Sequence, residues 1–391
     1  MNDFIFQNTT RVYFGKNQLS HLPEEISRWG SRVLLVYGGG SIKKTGLYDR
    51  VMASLQPAGI QVWELPGVEP NPRHTTVNRG AVLCRKENIQ AVLAVGGGSC
   101  IDCAKAIAAA ACYGGDVWDL VEGKAPVSQA LAVIAMPTLA STGSEMDKSC
   151  VISNLETAEK KGLSSELLRP RAAFLDPTNT LTVGAFQTAC GGFDIMTHFL
   201  ELNYFTKAEK YPMLQGVIES VLHTVAHDLP VVLAQPDNYA ARADLLWAAS
   251  WALNSFCGSG QRQAASCHSL EHELSARYDL THGLGLAILF PRWMEYLLAR
   301  DQTVAGDFAR FGTAVLDCPP AADPEDGAKA AIEALKKFLY ETLGLKSSLS
   351  ACGIDDSRFE EMVRAACKGK MIDGYRPLTV QDVEAIYRMC L

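Results

Sequence analysis

A surplus of basic residues is missing from this 391-residue sequence: 36 Lys and Arg stand against 43 Asp and Glu, a formal net charge of −7. A phosphate-backbone partner needs clustered cationic surface, and no basic block occurs, so nucleic-acid binding is excluded as the main role. Long hydrophobic runs are missing as well. The apolar stretches, such as Leu284 to Pro291, fall short of the ~20 residues that cross a bilayer. The opening Met1-Asn2-Asp3-Phe4-Ile5-Phe6 has neither the positive n-region nor the roughly 7- to 15-residue apolar stretch of a signal peptide. A cytoplasmic location is therefore expected. The composition also lacks the bias of disordered chains: 48% hydrophobic and 20% charged residues are the values of a folded enzyme.

Cysteine is plentiful, at twelve, but the residues are scattered over a chain long enough to bury a core without staples, so reduced thiols are expected. Cys100-Ile101-Asp102-Cys103 has the C-x-x-C spacing of a redox pair. It follows a glycine turn and enters an alanine-rich helical pattern, which is not the setting of such a pair.

What is present begins with alternation. Apolar runs end in turn-forming clusters at Arg32–Tyr37 before Gly38-Gly39-Gly40-Ser41, at Ala91–Val95 before Gly96-Gly97-Gly98-Ser99, and at Leu131–Met136 before Pro137-Thr138. Helical patterns lie between them, the signature of a parallel sheet wrapped by helices. After Asp176-Pro177-Thr178 the β-branched runs fade, and Ala, Leu, Met and Trp recur at spacings of three and four. The length exceeds what one core ordinarily serves. Two domains are predicted, an α/β domain over 1–180 and an all-α domain over 181–391.

A strand that runs into glycines and then a helix offers backbone N–H groups and a positive helix end to an anion. Gly96 to Ser99 has this form, without the G-x-G-x-x-G spacing, so alone it fits a tight ligand-free turn equally well. Pro137-Thr138 and Ser141-Thr142-Gly143-Ser144-Glu145 add hydroxyls suited to phosphate and ribose. Together the loops predict a dinucleotide site at one sheet edge. Asp102 fits either a cofactor contact or a first-turn acid favoured by the helix dipole. The first loop holds Gly38 and Gly39 where NAD-binding folds usually place a carboxylate, with Lys43 and Lys44 just beyond. That pattern favours NADP(H) over NAD(H).

Asp194 and His198 are four apart, hence on one helix face, among mostly apolar neighbours. Burying that pair is costly unless something satisfies it, and a divalent cation would. A second cluster holds His268, His272 and His282. Any one such histidine alone would read as an ordinary core or capping residue. Asp194, His198, His268 and His282 together form an N/O ligand set suited to Fe(II) or Zn(II), with His272 left over as a candidate proton relay. His272-Glu273-Leu274-Ser275-Ala276 starts like the zinc peptidase motif but lacks its second histidine. His223 and His227 are also four apart, without a carboxylate motif around them, and read as a solvated helix face.

These residues resemble the iron-containing (group III) alcohol dehydrogenases, in particular their butanol dehydrogenase-like branch. The resemblance covers nearly the whole chain. It runs through Asn8–Gly15, Gly67–Pro72 and Gly96–Ser99 with Asp102, and is most specific over Glu271–Ala287. It implies a dehydroquinate synthase-like architecture with a cleft between a dinucleotide-binding domain and a helical domain. It implies Asp194, His198, His268 and His282 as metal ligands, the same four reached from spacing. On the cofactor side it implies Gly38, Gly39, Ser41, Asn71, Gly97, Gly98, Ser99, Asp102, Thr138, Ser141, Thr142 and Lys160, the last matched by its distance before Asp176-Pro177. A homodimer is implied, since members are often dimeric. The expected reaction is hydride transfer between NAD(P)(H) and a small primary alcohol or aldehyde, against a polyol or glycerol dehydrogenase, or a silent metal or nucleotide sensor, on the same scaffold. Cys190 and Cys267 lie beside the ligands in sequence, which suggests oxidative sensitivity.

Overall fold

A computed structural model describes residues 2–207, 211–261 and 263–391. The chain forms two compact units, one of Gln7–Val183 with Ala249–Ser255, the other of Met1–Phe6, Gly184–Ala248 and Phe256–Leu391. Two short segments thus depart from the single boundary expected at 180. Ala249–Ser255 belongs with the α/β unit because Ser250 donates a hydrogen bond to buried Glu145, and because Gly143 (φ +67°) lies against the Ala249 carbonyl. A seven-residue excursion has no compositional texture of its own to betray it.

The α/β unit is built on a six-stranded parallel sheet. Its strands are β1 (Arg11–Phe14), β2 (Arg32–Val36), β3 (Gln61–Leu65), β4 (Ala91–Gly96), β5 (Ala132–Pro137) and β8 (Ala172–Leu175), in the order β1-β8-β5-β4-β2-β3. A hairpin of β6 (Ser149–Asn154) and β7 (Glu159–Ser164) stands apart as a two-stranded sheet. Side chains alternate between the sheet's two faces. Leu34, Val36, Val92, Ala94, Val133 and Ala135 enter one core with the alanine-rich Gly98–Tyr113 helix. Val33, Leu35, Leu93, Val95, Ile134 and Met136 enter the other with Leu22, Ile26, Leu47 and Val51. Burial on both faces explains why these strands read as continuous apolar runs rather than alternating ones.

β2 and β4 are neighbours, but the chain leaves β2 for β3 on one side and β4 for β5 on the other. Their carboxyl ends therefore flank a topological switch point, where the connections diverge and leave a crevice. Gly38–Ser41 and Gly97–Ser99 follow those two ends.

Among the described residues no named strand follows Leu175. The helical unit includes Ala185–Phe199, Pro212–Ala234, Ser266–Tyr278 and His282–Arg300. Pro212–Ala234 is long and apolar enough to cross a membrane by length and composition. Here it buries a single stripe, Leu214, Ile218, Leu222, Val225, Leu229 and Val232, as an amphipathic helix of a globular unit does.

Candidate functional site

Asp194 and His198 sit one turn apart on the Ala185–Phe199 helix, both buried. His268 lies in the first turn of Ser266–Tyr278. A tight turn through Asp279 (φ +50°) then reverses the chain, so that His282 opens the next helix. Two glycines allow these helices to touch. A Cβ on Gly283 would stand 2.1 Å from the Cys190 carbonyl oxygen, and one on Gly285 2.8 Å from Cγ of Glu271. Without those side chains the first turn bearing His282 rests directly on the helix bearing Asp194.

The result is a convergence. Candidate ligand atoms of Asp194, His268 and His282 lie within 4.8 Å of one another. Asp194 Oδ1 is 4.0 Å from His268 Nε2 and 3.7 Å from His282 Nε2. His198 stands alongside: its Nδ1 is 2.8 Å from the Asp194 carbonyl oxygen and 3.2 Å from Asp194 Oδ1, and its ring centroid is 4.6 Å from that of His268.

Tautomers follow from the partners. His198 Nδ1 meets a carbonyl, His268 Nδ1 lies 2.7 Å from Glu201 Oε2, and His282 Nδ1 meets Glu271 Oε2. Such oxygens accept, so each Nδ1 carries the hydrogen, and in the neutral ring Nε2 keeps its lone pair. His268 Nε2 is buried with no hydrogen-bond partner. Burial, the largest effect, holds the His268 pKa below its ordinary value, His198 and His282 push the same way, and Glu201 opposes them. A neutral ring with its lone pair facing a carboxylate is an arrangement that a cation between them would satisfy. For Asp194, burial disfavours the charged form, but positive charge on His198, then on His282 and His268, outweighs it and holds the carboxyl well below the usual range; with the rings neutral, a cation takes over that task. The donor set fits a divalent metal.

Glu201 and Glu271 were not singled out by sequence reasoning. Glu201 accepts from Ser266 Oγ and from the backbone N–H groups of Cys267 and His268, besides the His268 ring. It sits on a π-helical turn, Leu200–Tyr204, closed by the Phe205 N–H to Leu200 carbonyl bond of 2.8 Å. Such turns often mark functional positions. Glu271 also accepts from Ser275 Oγ at 2.5 Å. A signal existed: each glutamate follows a ligand-type histidine by three residues, His198 to Glu201 and His268 to Glu271. The pairing is crossed between helices, however, which spacing does not reveal. His272 lies beside the cluster, half-buried, its ring centroid 5.7 Å from that of His282.

The thiol expectation needs correction. Cys190 and Cys267 are buried, and burial pushes the Cys190 pKa up to about 12 and that of Cys267 well above its ordinary value. Thiols so protected are poor oxidation targets. The Cys100–Cys103 pair is likewise unoxidised and buried, and all twelve cysteines are free.

In the α/β unit, Gly97 caps the 16-residue Gly98–Tyr113 helix, whose N-terminus is thus presented at the end of β4. The loop after β5 packs against it: the Thr138 N–H donates to the Gly96 carbonyl at 3.0 Å, and a Cβ on Gly98 would stand 2.5 Å from Thr142 Oγ1. Ser141 belongs to this loop, and Ser99 lies in the helix's first turn. After β2, Gly38 and Gly39 lead to Ser41, the first residue of a short helix, and a Cβ on Gly39 would meet nothing within 4 Å. Asn71 holds φ +54° in the approach to the His74–Lys86 helix. Lys160 on β7 pairs with Ser153, whose N–H donates to the Pro72 carbonyl at 2.8 Å, so the Asn71 loop and Lys160 share one neighbourhood.

Asp102 has a structural task. Its Oδ1 accepts from Ser144 Oγ at 2.5 Å and its Oδ2 from the Val151 N–H at 2.8 Å. The buried Lys105 Nζ donates to Ser144 Oγ and to the Ser149 carbonyl, both at 2.8 Å. Asp102 and Lys105 thereby tie the Ser141–Glu145 loop and β6 to the helix. Lys43 also has partners within the unit. It lies 3.3 Å from Glu64 Oε2 and 4.4 Å from the Tyr48 ring centroid, while the hydroxyls of Tyr37 and Tyr48 also donate to Glu64.

Known proteins agree on one family. Residues 9–177 match the model described as iron-containing alcohol dehydrogenase, and residues 188–391 match its Fe-containing alcohol dehydrogenase C-terminal counterpart. The NADH-dependent butanol dehydrogenase A of Clostridium acetobutylicum is 44% identical, with 99% of each chain covered. The NADPH-dependent aldehyde reductase YqhD of Escherichia coli is 36% identical, covering 93% of this chain and 92% of that one. The crystal structure of an NADH-dependent butanol dehydrogenase A from Thermotoga maritima superposes with a TM-score of 0.93 at 36% identity, covering 100% of this chain and 99% of that one.

Proposed function

The chain belongs to the iron-containing alcohol dehydrogenases, and from that premise we propose that it interconverts short primary alcohols and aldehydes, as a butanol dehydrogenase-like enzyme, with NADP(H) favoured over NAD(H). Asp194, His198, His268 and His282 hold one divalent ion, Fe(II) or Zn(II). The observation that carries this reading is the commitment of the Nδ1 atoms of His268 and His282 to Glu201 and Glu271, which turns their Nε2 atoms toward the buried Asp194 carboxylate at 4.0 and 3.7 Å, with His198 alongside. When bound, the cation supplies Lewis acidity to the substrate oxygen and the nicotinamide supplies or accepts the hydride.

The remaining work falls to side chains. Glu201 and Glu271 fix ring orientation and hold the hydrogen of the neutral ring on Nδ1, so that Nε2 faces the ion. His272 moves the proton between the substrate oxygen and solvent. The glycines at 38, 39, 97 and 98 admit a dinucleotide backbone close to the main chain, Ser41, Ser99, Thr138, Ser141 and Thr142 offer hydroxyls, and Asn71 and Lys160 offer polar contacts. Gly39, with open space around it, supports the preference for a 2′-phosphate. Twelve free cysteines support a cytoplasmic setting. β1 at the sheet edge supports a homodimer through strand pairing.

Steady-state turnover of NADPH and NADH with straight-chain aldehydes from acetaldehyde to hexanal, with glycerol tested in reverse, decides the matter. Expected are metal-dependent aldehyde reduction and a higher kcat/KM with NADPH. Turnover undiminished after metal stripping, or a preference for glycerol, would overturn the reading.

A further inference from the structure

The solvent side of the Pro212–Ala234 helix carries a second group of ligand-type residues. His223 and His227, one turn apart, stack with ring centroids 4.0 Å apart. Asp317, ninety residues further along the chain than His227, reaches both from the loop after the Ala305–Val315 helix. His223 Nε2 lies 3.5 Å from Asp317 Oδ1, and His227 Nε2 lies 2.9 Å from Asp317 Oδ2. The three residues offer atoms within 4.8 Å of one another.

His227 Nδ1 is 2.9 Å from the His223 carbonyl oxygen, which only accepts, so Nδ1 carries the hydrogen. In the neutral ring Nε2 then turns a lone pair toward a carboxylate, acceptor against acceptor. A proton or a cation between them resolves this. Two ligand atoms each ~2.0–2.1 Å from a tetrahedral ion stand about 3.3 Å apart, and the separations of 2.9 and 3.5 Å bracket that value.

We propose that His223, His227 and Asp317 form a second, surface site for a borderline divalent cation of the zinc, nickel and copper class, distinct from the buried cluster. A bound ion staples the Pro212–Ala234 helix to the proline-rich connection before Pro324–Lys337. The histidine pair is on a solvated helix face, as its spacing predicts, but its carboxylate partner Asp317 is remote in sequence and was not foreseen.

The test counts ions. The whole protein, equilibrated with zinc chloride and freed of excess, is assayed for zinc per chain and for its unfolding midpoint with and without zinc. The expected result is one fewer zinc per chain in His223→Ala and in His227→Ala than in the unsubstituted protein. Each substitution should weaken that ion by more than the roughly 10- to 100-fold that loss of an outer-shell partner costs. Aldehyde reduction should be unchanged, and the zinc-induced rise in midpoint should shrink. The difference of one ion does not depend on the buried cluster being a metal centre. Equal zinc counts in all three proteins would overturn the proposal, and would assign any extra ion to thiols such as Cys112 or Cys318. If a histidine variant fails to fold, Asp317→Asn takes its place under the same criterion.

Discussion

Replacing Glu201 with Gln removes one charge and leaves almost every atom in place, and its effect can be worked from the contacts. The carboxylate accepts from Ser266 Oγ at 3.1 Å, from two backbone N–H groups, and from His268 Nδ1 at 2.7 Å. A Gln amide has one acceptor oxygen and one NH2. In one orientation the NH2 opposes the His268 Nδ1–H, and in the other it opposes the Cys267 N–H. In the first case the ring escapes by moving its hydrogen to Nε2, which abolishes the lone pair meant for the metal. A hydrogen bond to a charged group is worth about 1.5–3 kcal/mol, and each 1.4 kcal/mol is about tenfold in affinity. Metal affinity should therefore fall about 10- to 100-fold, the range typical of outer-shell partners of metal-bound histidine. Competition against a chelator of known affinity measures the loss, and excess metal should restore much of kcat in Glu201→Gln but not in His268→Ala. Wild-type metal affinity in a folded Glu201→Gln protein would refute the reasoning.

Three further outcomes are expected. Gly98→Ala places a methyl 2.5 Å from Thr142 Oγ1, so the loops must part; stability should fall by about 1–3 kcal/mol and the KM for the nicotinamide should rise, read by thermal unfolding and initial rates. Gly39→Asp adds a side chain into open space, so it should fold normally while its negative charge raises the KM for NADPH at least about tenfold, about 1.4 kcal/mol, and leaves NADH less affected; an equal effect on both would contradict a site for the 2′-phosphate at this loop. Hydrogen bonds from the Thr303 hydroxyl, then Arg376, hold the Asp301 pKa down at about 2 instead of 3.8. The folded-state value is the lower one, so its stabilisation is complete above about 4 and is lost as pH falls toward 2; Asp301→Asn should flatten that part of the acid unfolding curve.

Much of this was legible in sequence, for identifiable reasons. Strands β2, β4 and β5 are buried on both faces, so they show as apolar runs ended by glycine or proline. Asp194 and His198 share a helix, so their spacing alone places them together. His268 and His282 come near each other because only a short turn through Asp279 separates their helices. What spacing does not encode is contact between distant elements. Glu201 with His268, Asp317 with His227, and Ser250 with Glu145 bridge 67, 90 and 105 residues respectively. Asp102 was ambiguous for the same reason: its partners Ser144 and Val151 lie on a loop and a strand that only the fold brings to it. The pairing of Lys43 with Glu64, 21 residues on, was hidden in the same way, since strand pairing brings Glu64 to it.

The central claim is a single divalent ion gripped by one carboxylate and three imidazoles. A metal-loaded crystal, with anomalous scattering recorded at the absorption edge of the bound metal, tests it most directly. The expected map has a strong peak, separate from any at His223, His227 and Asp317, about 2.0–2.2 Å from an Asp194 carboxylate oxygen and from Nε2 of His198, His268 and His282. A peak that excludes any of these four side chains, or no peak there in a protein with full activity, would contradict it.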